Sequence, residues 1–326
     1  MKYHPPAIAI ILGLLVMACD GYISFGDELV LPDEELPASD ELVINAMLIN
    51  TDTTFYLRSD RAISFQRGYP IRPEANQASW PIVDEDDLDI NLRADGEAIA
   101  TFRHIPEAER IGSRSVFDTV PWTDPVYPGQ VNYRAPTAGS VLEAGSSYRL
   151  SIDHPRLGEF NIDQRMPRAV TGAEARVSGL LSNSSGSSYR TVSLTFDDPP
   201  GEDNFYLIQA TTSEPEAFPL TLTDADPRTP EGERLRAALF FTDSTADGRT
   251  VLLDFIASTP SGEDIGRVTV TTVSAGWYRF MESYQRYFEL RQDLDDGLVE
   301  PFQLYTNIPG GFGYFGLGNE VTVSLK

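Results

Sequence analysis

The chain has 326 residues, 41% of them hydrophobic, which is enough to bury a sizeable core and to divide into two domains of ordinary size. Its 49 acidic against 25 basic residues give a formal net charge of −24 at pH 7, so nucleic acid and anionic lipid would both repel its surface. Cys19 is the one cysteine, which excludes an intramolecular disulfide and a cysteine-built metal cage.

The first element in chain order is a segment of export type. Lys2 supplies a positive start, Ile8 to Met17 an apolar run, and Ala18 a small residue directly before Cys19. Residues 1–18 therefore read as a lipoprotein signal peptide, after whose removal the Cys19 thiol carries lipid and leads the mature chain. Val16 and Met17 make the match to a lipobox imperfect. The apolar run is shorter than the roughly 20 residues that a membrane-spanning helix needs. Residues 19–41 follow as an acidic tether, in which Asp27, Glu28, Asp33, Glu34 and Glu35 repel one another while Pro32 and Pro37 block helix.

From Glu41 onward short β-branched and aromatic runs alternate with glycine, proline and aspartate, the signature of strands and turns. Strands are expected at Leu42 to Ile49, Thr54 to Leu57, Leu88 to Leu92, Ala98 to Phe102, Tyr148 to Ile152 and Phe160 to Ile162. Asp95-Gly96 should close a hairpin, because its turn needs positive φ. Ile111 to Ser140, rich in proline and glycine, reads as a long loop carrying Trp122, Tyr127 and Tyr133. Residues 42–165 are thus expected to form an immunoglobulin-like β-sandwich.

The second half repeats the pattern at Ala173 to Leu180, Tyr189 to Phe196, Asn204 to Thr212, Leu220 to Thr223, Leu239 to Thr242, Val251 to Ile256 and Arg267 to Ser274. Trp277, Phe280, Met281, Tyr284, Tyr287 and Phe288 recur at helical spacing, which predicts an amphipathic helix over 276–292 whose aromatic stripe packs on a sheet. The fold class expected is mainly β, with residues 166–326 forming a second sandwich or barrel-like domain that includes this helix.

Few residues suggest chemistry. Gly311-Phe312-Gly313-Tyr314-Phe315-Gly316 matches the dinucleotide fingerprint literally, but that motif needs a strand before it, a helix after it and a later acid, and this chain ends at Lys326 in β-type alternation. Those glycines read instead as sites of close packing or of a bulged strand. His104 and His154 stand in unlike settings and read as surface or turn residues, not zinc ligands. No G-x-S-x-G elbow accompanies the serines. Asp84 to Asp89 and Asp293 to Asp296 read as solvated turns, calcium being the lesser reading, because neither has helix-loop-helix calcium spacing. No catalytic set, metal or cofactor is expected. Trp122, Tyr127 and Tyr133 are the candidate ligand-binding residues, as exposed aromatic rings on a loop.

The tail Glu300 to Phe315 resembles the closing signature of a Bacteroidota lipoprotein family called domain of unknown function 4249, most specifically at Asn307-Ile308, Gly310-Gly311, Gly313 and Phe315. Asp198-Pro199-Pro200-Gly201-Glu202-Asp203-Asn204-Phe205-Tyr206, Phe241-Thr242-Asp243 and Asp247-Gly248-Arg249 are similar to its internal segments, with Arg249 where lysine is usual. Glu41 to Ala46 and Tyr148-Arg149-Leu150 also look alike. The resemblance implies an outer-membrane lipoprotein, surface-exposed rather than periplasmic, that accompanies a TonB-dependent transporter as a non-enzymatic binding partner. It supplies no catalytic residues. A carboxylate-based surface hydrolase and an adhesive or structural module are the alternatives.

Overall fold

The computed structural model describes residues 38–63, 83–84, 86–106, 131–137, 141–182, 188–213, 220–224, 238–243, 247–259, 264–292 and 304–325. The signal peptide, most of the tether, Cys19, Trp122, Tyr127 and Asp293 to Asp296 lie outside them.

The described chain is mainly β with one helix, as its residue pattern predicts. The strands of the first half are β1 (Ala38–Ile49), β2 (Thr54–Ile63), β3 (Val83–Asp84), β4 (Asp89–Ala94), β5 (Glu97–His104), β6 (Tyr133–Pro136), β7 (Ser147–His154) and β8 (Gly158–Arg165). Those of the second half are β9 (Thr171–Ser182), β10 (Ser188–Asp197), β11 (Phe205–Thr212), β12 (Leu222–Thr223), β13 (Leu239–Thr242), β14 (Thr250–Thr259) and β15 (Ile265–Val273). Helix α1 (Ala275–Gln292) and strand β16 (Phe312–Leu325) close the chain.

The strands join a large open mixed sheet, whose main path runs β12-β14-β10-β9-β16-β1-β2-β6-β5-β4-β7-β8, with β3, β11, β13 and β15 attached beside it. Period-two alternation sets the strands' faces. In β1, Leu42, Ile44, Ala46 and Leu48 are buried while Val43, Asn45 and Met47 are half-buried; in β10, Val192, Leu194 and Phe196 point inward. The β4–β5 hairpin turns on Asp95 (φ 51°) and Gly96 (φ 83°), the positive-φ pair expected there.

The last strand holds the molecule together. β16 pairs in parallel with β1 and, at its far end, with β9, and antiparallel with β15. Its Phe315 and Leu317 enter a core made by β1, β2 and β4 to β8, its Val323 enters a second core made by β9 to β15, and Tyr314 packs in a third cluster with Trp277, Phe280 and Met281 of α1. Phe280 meets Tyr314 at 4.5 Å between ring centroids, and Trp277 is 1% exposed. Each such buried side chain contributes about 1.5–3 kcal/mol through apolar burial, so Trp277, Phe280 and Met281 fasten the helix to the sheet, while the Tyr287 and Phe288 side chains of the predicted stripe lie outside the described residues.

The tail glycines serve this packing. A Cβ at Gly313, whose φ is +89°, would lie 2.0 Å from the Ile44 carbonyl oxygen, and one at Gly316 would lie 2.5 Å from Trp277 Cβ. Only glycine lets β16 run this close to β1 and to the helix. Asn307 completes the corner as a substitute strand: its Nδ2 donates to the Phe315 carbonyl at 2.7 Å and its Oδ1 accepts the Phe315 N–H at 2.9 Å.

Candidate functional site

Cys19, Trp122 and Tyr127 lie outside the described residues. Tyr133 was expected as an exposed loop aromatic, and its placement corrects that. It stands in β6, 1% exposed, with its hydroxyl oxygen accepting the Leu88 N–H at 3.3 Å and its ring meeting His104 edge-on at 5.4 Å. A ring of that size in β6 gains more from the first core than from water. His154 is the turn residue of the sequence reading, but a buried one. It is 1% exposed where β7 turns into β8, and its Nδ1 accepts the N–H groups of Arg156 and Leu157 at 3.0 and 3.1 Å, so the imidazole closes the turn. Of the Asp84 to Asp89 cluster, Asp86 and Asp87 are exposed between β3 and β4, whereas Asp84 ends β3 and the exposed Asp89 begins β4.

A buried polar cluster forms elsewhere, where β10 and β13 end and β11 and β14 begin. Asp197 pairs with Thr250 and Phe205 with Thr242, and these two registers bring Asp198, Asn204, Asp243 and Gly248 to one point although they span 50 positions of sequence. Asp198 is 5% exposed and sits at the centre. Its Oδ1 accepts the Tyr206 hydroxyl in a short hydrogen bond and the Asn204 Nδ2 at 3.2 Å, and its Oδ2 accepts the Gly248 N–H at 2.7 Å. Asn204 Nδ2 also faces Asp243 Oδ2 at 3.3 Å and the carbonyl oxygens of Pro199 and Glu202 at 2.9 and 3.1 Å. Asp247, which is exposed, accepts the Gly201 N–H at 2.7 Å.

The local sequence explains the shape. Gly201 and Gly248 adopt φ of +83° and +66°, the left-handed turns that Pro-Pro-Gly and Asp-Gly favour, and a Cβ at Gly248 would lie 2.9 Å from the Pro200 side chain. Two chain reversals are thereby pressed together, and their backbone N–H groups find carboxylate acceptors.

Burial pushes the Asp243 carboxyl above its ordinary value, and the Asp198 charge adds to this while Asn204 opposes it. Burial likewise drives the Tyr206 hydroxyl well above the ordinary phenol range, reinforced by its bond to Asp198, so it stays a proton donor. Glu202 lies at the rim, where Arg168 Nε approaches its Oε1 at 3.2 Å and Arg165 its Oε2 at 3.7 Å.

Among the described residues Asp198, Asp243 and Asp247 could contribute oxygens to a hard cation, since one carboxylate oxygen of each lies within 4.8 Å of the others. Calcium takes about six to eight oxygens at roughly 2.3–2.6 Å. Each of these three carboxylates instead accepts an N–H or O–H donor from the chain itself. As it stands, the cluster is a hydrogen-bonded clamp between two turns. Sequence reading passed over it because its acids are far apart along the chain; the available signal was the pairing of Asp-Pro-Pro-Gly with a distant Asp-Gly, each placed next to a strand.

The residues that carry the clamp, and those that seat β16, are the ones through which the sequence resembles domain of unknown function 4249. No curated protein matches the chain. The family model described as "Domain of unknown function (DUF4249)" matches residues 28–324, and the chain belongs to that family.

Proposed function

We propose that the protein is an outer-membrane lipoprotein, anchored through lipid on Cys19 and facing the cell exterior, that serves a TonB-dependent transporter as a non-catalytic ligand-binding or accessory partner. The observation that carries this reading is the order of the N-terminal segments: a positive start, an apolar run of signal-peptide length, Ala18-Cys19, then an acidic, proline-bearing tether. Among the described residues no helix is long and apolar enough to cross a membrane, and in this reading attachment rests on the lipid. Tens of tether residues at up to about 3.5 Å each would let the folded part stand several nanometres off the surface.

The two-domain organisation, an immunoglobulin-like sandwich over 42–165 and a second β unit over 166–326, is part of the same proposal. It is supported by the separation of two buried cores along the chain, with β16 as the element they share. The clamp supports a non-catalytic reading too, because its carboxylates are engaged in joining turns. Trp122 and Tyr127 remain the candidate loop contacts for a ligand.

Expression of the full-length chain with a labelled fatty acid tests the anchor. Label should enter the wild type and be lost in Cys19→Ala, with the variant leaving the membrane fraction; equal labelling of both would remove the basis of the proposal.

A further inference from the structure

The run of strands β5-β4-β7-β8 turns Ile90, Leu92, Leu150 and Ile152 into the first core and presents the alternate residues outward. On the outward face the two central strands carry the same order of charge types. β4 presents Asp89, Asn91 and Arg93, and β7, running the other way, presents Asp153, Ser151 and Arg149. Asp89, Arg149 and Asp153 are exposed, while Asn91, Arg93 and Ser151 are half-buried.

The register sets Asp89 opposite Asp153, Asn91 opposite Ser151 and Arg93 opposite Arg149. Acid therefore stands beside acid at one end and arginine beside arginine at the other, and like charges directly opposite each other are unfavourable across a strand pair. Among the described residues neither Asp89 nor Asp153 has an ion-pair partner.

Hydrogen bonds along the face hold these groups in place. The Thr101 hydroxyl donates to Asn91 Oδ1 at 2.7 Å and Asn91 Nδ2 to Asp89 Oδ1 at 2.7 Å; the Ser151 hydroxyl donates to Asn161 Oδ1 at 2.8 Å and Asn161 Nδ2 to Glu159 Oε1 at 2.7 Å. At the basic end Arg93 reaches the Gly96 carbonyl at 3.1 Å, and Arg149 grips both carboxylate oxygens of Asp163 at 2.8 Å.

We propose that this face docks on the same face of a second copy of the chain, about a two-fold axis that crosses the strands through Asn91 and Ser151. Rotation about that axis lays each strand over its own reverse, so Asp89 meets Arg93 of the second copy, Asp153 meets Arg149 of the second copy, and every contact occurs twice. An unrelated acidic or basic surface would meet one end of the patch with like charge, whereas a patch with ends of opposite sign is its own complement. The short Asn91 and Ser151 side chains at the axis suit the roughly 10 Å spacing of packed sheets. At the β8 edge Glu159 meets Asp163 of the second copy, whose charge Arg149 already balances, and Arg103, one residue past the last β4–β5 pair, lies beside the acidic end. A patch of this size covers on the order of 400 Å² on each copy, against roughly 800 Å² in a stable complex, so the pair is weak and owes much of its strength to charge.

Sedimentation equilibrium of the full-length chain in density-matched non-ionic detergent tests this. At low salt the mean mass should climb from one chain toward two as concentration rises through about 0.1 mM, and about 0.5 M salt should weaken the association roughly tenfold. Asp89→Arg sets arginine against Arg93 of the second copy, twice per pair, and should weaken association by about tenfold or more. Adding Arg93→Asp reverses the polarity of β4, makes the strand its own complement again and should recover most of the loss. Asp153→Arg, on the neighbouring strand, should weaken association in the same way and stands in should the β4 variants fail to fold, which circular dichroism reads. A wild type that stays a single chain up to about 1 mM at low salt would overturn the proposal. So would association that a folded Asp89→Arg or Asp153→Arg leaves unchanged, or a folded double variant no tighter than Asp89→Arg alone.

Discussion

Replacing Asp198 by alanine removes the acceptor on which the clamp depends. Three donors lose their partner: the Tyr206 hydroxyl, which belongs to a fully buried residue, the Asn204 amide and the Gly248 N–H. Hydrogen bonds to a charged group contribute about 1.5–3 kcal/mol each, and a buried donor left unmade costs about 1–3 kcal/mol. Because Asn204 keeps its carbonyl contacts and the Gly248 turn can relax toward water, the sum is best set by the two strongest losses, about 3–5 kcal/mol. For a cooperative unit of this size each kcal/mol lowers Tm by about 2–4 °C, so the Tm of Asp198→Ala should fall by roughly 6–20 °C. The matched control is Asp247→Ala, which deletes one exposed acceptor and should cost under about 1 kcal/mol. Tyr206→Phe isolates the hydroxyl, and its coupling to Asp198 in a double-mutant cycle should reach about 1–3 kcal/mol. Thermal unfolding followed by circular dichroism reads the wild type and all four variants. If Asp198→Ala unfolds no earlier than Asp247→Ala, the carboxylate is not the centre of the clamp.

Other consequences follow from the same contacts. Gly313→Ala must push a methyl group into the Ile44 carbonyl and adopt a strained φ, so it should cost at least about 3 kcal/mol or prevent folding, whereas Gly310→Ala, with φ +69° but open space around it, should cost only about 1 kcal/mol in denaturant titration. Asn307→Ala leaves the Phe315 N–H and carbonyl without their side-chain partner and should cost about 1–3 kcal/mol, with early hydrogen exchange at the start of β16. Since each clamp carboxylate already holds a donor, millimolar calcium or a chelator should move Tm by less than about 1 °C, and a rise of several degrees that is lost in Asp243→Asn would replace the clamp with a cation site.

What the sequence reveals here is local order. Alternation in Leu42 to Ile49 and Tyr189 to Phe196 locates strands because burial on one face leaves a period of two, and the Trp277, Phe280 and Met281 spacing locates α1 to within a residue of its start. Asp95-Gly96 gives its hairpin because the turn chemistry is contained in two residues. Long-range pairing is not legible in that way. Nothing in Phe312 to Leu325 announces a parallel partner near the other end of the chain, so the role of β16 as the common strand appears only in its register with Val43 to Ile49. Tyr133 misleads for a related reason: proline and glycine around it mark a loop, but β6 exists through pairing with β2 and β5, which its own four residues do not specify. Asp198 and Asp243 look like ordinary members of an acidic surface until strand register places them together. The reading of the tail glycines as sites of close packing is legible because β-type alternation continues past them, and Gly313 and Gly316 lie against β1 and Trp277.

The most direct test of the proposed function is affinity capture of the intact lipidated protein from native outer membranes, with mass spectrometry of the mature N-terminus and of whatever co-purifies. The account predicts an N-terminal peptide beginning at a lipid-modified Cys19 and stoichiometric recovery of a TonB-dependent transporter that Cys19→Ala fails to retain. An unmodified N-terminus, or a lipidated protein that comes away from the membrane with no transporter, would contradict it.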